Sequence, residues 1–389
     1  MTTVDICANE IIMKNRKLNI KKIFESSERK GLSQSKVAQD LNVSREIVSQ
    51  WFKGEKFPRP DKLLKLSMML GLSYNDIVET LSSENDPIVA FRKKGNHKIT
   101  EEYLDEARDT GRILADIVPY LPFDNLSRPK TLIRPQLDYS YLQQVALKIR
   151  KQIGKAQNER IEFEELINLF NDLNAVIIPV LWGSKERHEN ALHIYLPESM
   201  TTWIYLNLDC KLHDFKFWMA HELGHIHAPQ LLEDAGEDFA DAFAGALLVP
   251  QEIASGEYAY LRRTDQVPLR ISHVKATAER LGVSPLTVYL EINKYAEHCD
   301  LPKIDLDKNR SIFKANTNFN KGFKTVSEYL FNEKVPAPNQ YIKSAAEQFG
   351  SPFFGSLKKY IQEKRKPASF VQSILRISLL DARNIYEEL

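Results

Sequence analysis

Apolar positions recur along most of this chain at spacings of three and four residues, the period of a helix. The pattern predicts helix across Arg150 to Leu173 and across Val274 to His298. It predicts further helices near Asn339–Gln348, Phe354–Lys364 and Ser369–Ile377, and a small helix pair from Ile374 to the end. Three short stretches break the pattern in the middle: Ala175–Leu181, Ala191–Leu196 and Thr202–Asn207. They are compact apolar runs rich in β-branched and aromatic residues, and they predict strands. The class is therefore α+β, a small sheet inside a mostly helical protein.

The segment Gly31 to Leu70 has a cadence of its own. Ser33 is placed to cap a short helix through Asp40, Leu41-Asn42-Val43 makes a tight turn, Ser44 caps a second helix through Lys53, and Gly54 ends it. Val37, Leu41, Val43, Ile47, Val48 and Trp51 are expected inside. Arg45, Glu46, Ser49, Gln50 and Lys53 face outward on the second helix and can reach base edges or phosphates. Over about 60 residues, LSQ, VA, LNVS, W, G, P and KLLKL fall in register, and the segment resembles the helix-turn-helix of the Xre family of phage repressors. That resemblance implies a second helix in the major groove, with Arg45, Glu46 and Gln50 toward bases and Gln34 toward a phosphate. Arg45 suits guanine and Gln50 suits adenine. The implied partner is a double-stranded DNA operator, bound as a homodimer on a two-fold-related site. A helical bundle used only for dimerisation is the alternative. Charge argues against that alternative: Lys14 to Ile77 holds 14 Lys and Arg against 7 Asp and Glu, whereas the whole chain is +1.

The sharpest chemistry lies in Phe215-Lys-Phe-Trp-Met-Ala-His221-Glu222-Leu223-Gly224-His225. On a helix His221 and His225 lie one turn apart, roughly 40° around the axis, and two imidazoles so placed can grip one Zn²⁺. Glu222 projects beside them, where it can take a proton from water at the ion. A second helix carries Glu237-Asp-Phe-Ala-Asp241, with Glu237 and Asp241 one turn apart. Glu237 supplies the third ligand of a His₂Glu site with one open position. Asp241 has the spacing to hold the other nitrogen of a ligand histidine. Only 11 residues separate His225 from Glu237, so Glu233 and Asp234 compete for the metal. His213, His227, Tyr258, Tyr260 and Cys210 are read as packing or surface residues.

HELGH followed by ExxADxFAxxLLxP resembles the ImmA/IrrE family of metallopeptidases, over roughly Tyr141 to His298. The resemblance implies a zincin-like, gluzincin-type domain: a zinc-dependent endopeptidase that cleaves transcriptional repressors. His221, His225 and Glu237 would be ligands, Glu222 the base, and Asp241 a supporting residue. An intact Glu222 favours hydrolysis over a structural zinc site, which needs no base. The competing reading is a non-catalytic DNA-binding regulator, or an antitoxin-like protein whose zinc domain senses or only folds. An unregulated endopeptidase would harm its own cell, so a gate is expected.

Ser272 to Ile292 repeats a helix-turn-helix cadence, with Leu281-Gly-Val-Ser284 as turn and cap, but lacks a strongly basic face. It reads as packing or partner binding. The expected organisation is a DNA-binding domain over 1–80, connector helices over 81–140, a peptidase domain over 141–300 and a helical region over 301–389. A Pro-containing connector is expected over Asp124 to Pro135, and a further break near Asp300 to Lys324. The three cysteines are far apart, which excludes a disulfide framework and a CxxC metal site. No apolar run approaches the ~20 residues that span a bilayer, and no secretory leader is evident. A cytoplasmic protein with no membrane partner is the expectation.

Overall fold

The computed structural model describes residues 16–80, 86–91, 101–123, 131–182, 191–231, 233–307, 310–333 and 335–389. Contacts divide the chain into two compact units, Met1–Asp86 and Pro87–Leu389.

The first unit begins with β1 (Arg16–Leu18), followed by α1 (Ile20–Arg29), α2 (Gln34–Leu41), α3 (Arg45–Phe52), α4 (Pro60–Leu70) and α5 (Tyr74–Ile77). It closes with β2 (Val78–Thr80), which pairs antiparallel with β1. The predicted caps are in place. Ser33 Oγ accepts from Lys36 N at 3.2 Å and Ser44 Oγ accepts from Ile47 N at 3.3 Å. Asn42 takes the left-handed conformation, φ 50°, that lets α2 stop and the chain turn into α3. Val37, Leu41, Val48 and Trp51 are buried as expected. Ile47 is not: it is 37% exposed, and Phe52 fills the interior instead, with its ring 5.4 Å from Phe24. The β1–β2 pair was not legible, since each strand is three residues long.

The second unit starts with β3 (Ile88–Phe91) and continues with α6 (Glu101–Ala115) and a 3₁₀ turn at Val118–Tyr120. Then come α7 (Tyr139–Gln152), α8 (Phe163–Asp172), β4 (Ala175–Val180), β5 (Ala191–Leu196) and β6 (Thr201–Asn207). Six helices follow: α9 (Leu212–His227), α10 (Glu233–Leu248), α11 (Gln251–Leu261), α12 (Val267–Leu281), α13 (Pro285–His298) and α14 (Ser311–Lys321). The chain ends with α15 (Val326–Phe331), α16 (Pro338–Phe349), α17 (Phe353–Lys364), α18 (Ala368–Leu375) and α19 (Leu379–Glu388).

The sheet order is β3-β5-β6-β4, with β4 parallel to β6 and the other pairs antiparallel. Every residue of β4, β5 and β6 is buried, because helices cover both faces. That double cover is why these strands read as continuous apolar runs. On one face α9 packs against β5 and β6; on the other, Trp203 meets Phe353 of α17 and Tyr205 donates to the Ile374 carbonyl of α18 at 2.8 Å.

Three expectations need correction. Arg150 to Leu173 is two helices, because Gly154 takes φ 72° after α7 and a Glu162–Glu165 capping box starts α8. Between them the buried Arg150 guanidinium donates to the carbonyls of Ala156, Glu159 and Leu247, so a side chain that fits a helical pattern serves a loop. Val274 to His298 is likewise interrupted, at Gly282 (φ 65°), and restarts at Ser284, which caps α13 as its cadence predicts. The stretch Asp300 to Lys324 contains α14, whose Ile312 and Phe319 are buried. Its Lys- and Asn-rich outer face hid that helix. The connector expected over Asp124 to Pro135 lies partly outside the described residues, since 124–130 are among those not described. From 301 onward the helices share one continuous apolar core with the sheet.

Candidate metal centre and nucleic-acid interface

The HELGH motif sits near the end of α9, and α10 crosses beside it. Gly224 makes the crossing possible: a Cβ there would stand 2.8 Å from the Cα of Ala240. With the two helices that close, Glu237 reaches the histidines. His221 Nε2 and His225 Nε2 are 3.1 Å apart. Oxygens of Glu237 lie 3.5 Å from His221 Nε2 and 3.3 Å from His225 Nε2. Tetrahedral zinc with Zn–N bonds of ~2.0–2.1 Å separates its ligand atoms by about 3.3 Å. The three donors therefore fit one face of such a site.

Asp241 takes the place its spacing suggested, with Oδ1 2.9 Å from His221 Nδ1. A carboxylate only accepts, so Nδ1 carries a hydrogen, and Nε2 is the nitrogen a metal would take in exchange for its proton. Burial pushes His221 down, but hydrogen bonds to Asp241 and Glu237 and the charge of Glu222 raise it to about 9. Burial lowers His225, and its hydrogen bond to Glu237 does not fully offset that. Burial raises Glu237, yet both histidines hold its carboxyl down at about 2. Glu222 is 2% exposed, beside His221 on the helix. Of the competing ligands, Asp234 is exposed and is not in the cluster, and the side chain of Glu233 lies outside the described residues.

His193 was missed. It sits on β5, 3% exposed, and its ring stacks on His225 at 5.8 Å and 25°. Neither ring nitrogen has a hydrogen-bond partner among the described residues. Burial, with His225 beside it, lowers it to about 3, so the ring is neutral. The signal was there, a lone histidine inside the apolar run Ala191-Leu-His-Ile-Tyr-Leu, but nothing in the sequence says which face it takes.

The set-aside residues make packing contacts and hydrogen bonds. His213 pairs with Asn320 at 2.6 Å among Phe319 and Phe323. The Tyr258 hydroxyl donates to the Pro302 carbonyl at 2.9 Å. Tyr260 stacks on His273, 3.7 Å between ring centroids. Burial raises the Cys210 thiol well above its ordinary range. His227 closes α9, with its ring 5.9 Å from Phe243.

In the first unit, Arg45, Glu46 and Lys53 are exposed on α3, with Ser49 and Gln50 half-buried along the same face. Gln34 is half-buried at the start of α2. Hydrogen bonds from its own backbone amide and from Ser44 lower the Glu46 carboxyl. The face thus carries side chains suited to base edges at one end and a cation at the other.

Residues 20–77 match the family model for a helix-turn-helix, and residues 176–293 match that for an IrrE N-terminal-like domain. Neither the curated proteins nor the solved structures yielded a match to the chain. Among the described residues, no helix is long and apolar enough to cross a membrane. The chain joins a helix-turn-helix domain to an IrrE N-terminal-like domain.

Proposed function

We propose that this chain is a DNA-binding transcriptional regulator whose second unit is a zinc-dependent endopeptidase, acting on a transcriptional repressor or a similar regulatory protein. The observation that carries the reading is the convergence of His221, His225 and Glu237 on one point, with Glu222 alongside. Bound zinc supplies the charge that acidifies water and polarises a carbonyl. Asp241 holds His221 in the tautomer that leaves Nε2 open. Glu222 takes the proton of the attacking water and passes it to the leaving amine. The α3 face, with Arg45, Glu46, Ser49, Gln50 and Lys53, reads an operator as a homodimer, and Gln34 holds a phosphate. Joining the two functions in one chain raises the local concentration of the peptidase near operator-bound proteins.

Glu222→Gln separates this reading from that of a non-catalytic sensor. The amide keeps shape and a hydrogen bond but cannot take the proton. It should retain zinc and DNA binding, yet lose cleavage of a co-expressed repressor by the ~10²–10⁴ of general-base removal. If the repressor's length and operator occupancy are the same with wild type and Glu222→Gln, while deletion of the helix-turn-helix abolishes regulation, the sensor reading replaces the enzyme.

A further inference from the structure

Among the described residues, the candidate ligands are covered. His221, Glu222 and His225 are 0–4% exposed, and the Glu237 side chain is 13% exposed. A polypeptide that reaches a centre lying beside a sheet can do so as an added strand, its main chain pairing with a free edge. The strand next to this centre is β5, through the stacking of His193 on His225. One edge of β5 is taken by β6. The other is taken by β3, in the register Ile88 to Tyr195, Val89 to Ile194, Ala90 to His193 and Phe91 to Leu192. Paired residues share a face, so Ala90 lies on the His193 side of the sheet. β3 also packs against α10, the helix that brings Glu237.

Several features mark β3 as a cover and not a core strand. It is four residues long, and Ile88, Val89 and Ala90 are half-buried where β4, β5 and β6 are wholly buried. It lies outside the 176–293 segment that matches the family model. Opposite His193 it offers only the methyl group of Ala90, and among the described residues neither nitrogen of that ring has a hydrogen-bond partner. Buried polar groups left unpaired are the exception in folded proteins and point to an occupant with polar groups of its own. β3 is secured at its start by Pro87, which fits against Gly111 of α6 so closely that a Cβ there would stand 2.5 Å from the proline ring. Before Pro87 the chain runs directly into the helix-turn-helix unit, which ends at Asp86.

We propose that β3 is a built-in inhibitory strand. It occupies the edge of β5 that an extended polypeptide must take to reach His221, His225 and Glu237, and that edge becomes available when β3 leaves. This rests on the metal-centre reading above.

The test uses the zinc-loaded full-length chain and two chelating probes: acetohydroxamic acid, which needs no strand edge, and an alanine tetrapeptide hydroxamate, which does. Alternate residues of β3 face β5, so the double variant Val89→Pro/Ala90→Pro removes one of its two inward amides whichever alternate pair faces β5. It should bind the peptide hydroxamate at least tenfold more tightly than wild type and acetohydroxamic acid equally. Equal affinity of both proteins for the peptide overturns the proposal. Hydrogen exchange on wild type gives a second measurement that needs no variant. Saturating peptide hydroxamate should strip protection from Ile88–Phe91 while Ala191–Leu196 stays protected, and full binding with β3 protection intact also overturns it. If neither hydroxamate binds either protein, the metal reading fails first and this proposal falls with it.

Discussion

His221 and Lys216 lie five residues apart on α9, and burial acts on them with different results. His221 is compensated by carboxylates, which pull it up to about 9. Lys216, with no exposed surface, has its ammonium donating to Ile161 O at 2.7 Å and Leu281 O at 3.0 Å, and lying 5.4 Å from the Phe163 ring centroid. Burial, with Arg160 beside it, lowers Lys216 to about 7. An unfolded chain keeps that proton up to the ordinary lysine value of ~10.4. Between about pH 7 and 10 the unfolded state therefore binds more protons, and stability rises with pH. The difference in unfolding free energy between wild type and Lys216→Met should grow by up to about 1.4 kcal/mol per pH unit across that window. Denaturant titrations at stepped pH check it, and a flat difference would show that Lys216 stays charged when folded. Neither Lys216 nor His193 was legible as special in the sequence. His221, His225 and Asp241 were, because a helix fixes their relations locally, whereas the other two owe their environment to β5, α8 and α12.

Elements repeat the same division between local and distant causes. α2 and α3 follow from Ser33, Asn42 and Ser44, which act within a few residues of themselves, so their starts and stops could be read directly. The break between α7 and α8 is local in Gly154 and the Glu162–Glu165 capping box, but its loop also depends on a distant partner that could not be read, Arg150 donating to loop carbonyls and to the Leu247 carbonyl of α10. β3 was invisible because four residues of moderate apolarity become a strand only when β5 offers an edge. For α3, the exposed Arg45 and half-buried Gln50 lead to a definite expectation. Replacing either with alanine should cost roughly 1–3 kcal/mol on a selected operator and relax base preference at one position. Quantitative footprinting on a randomised duplex library measures both effects. Unchanged affinity and preference in the Arg45→Ala/Gln50→Ala double variant would move the DNA-reading face elsewhere on the unit.

Across the whole molecule, positive charge is concentrated in the helix-turn-helix segment and not in the whole first unit, since Met1–Asp86 carries net +2 and Pro87–Leu389 carries −1. The segment Lys14 to Ile77 carries net +7, and the remainder brings the chain to +1. That concentration favours a polyanion partner at Lys14 to Ile77. The proposed peptidase chemistry requires zinc held through His221, His225 and Glu237. Elemental analysis of protein purified without chelators tests this most directly. The predicted result is about one zinc per chain in wild type and in Glu222→Gln, and none in His221→Ala or His225→Ala. Wild type free of divalent metal, or histidine variants that keep a full complement of zinc, would contradict the account.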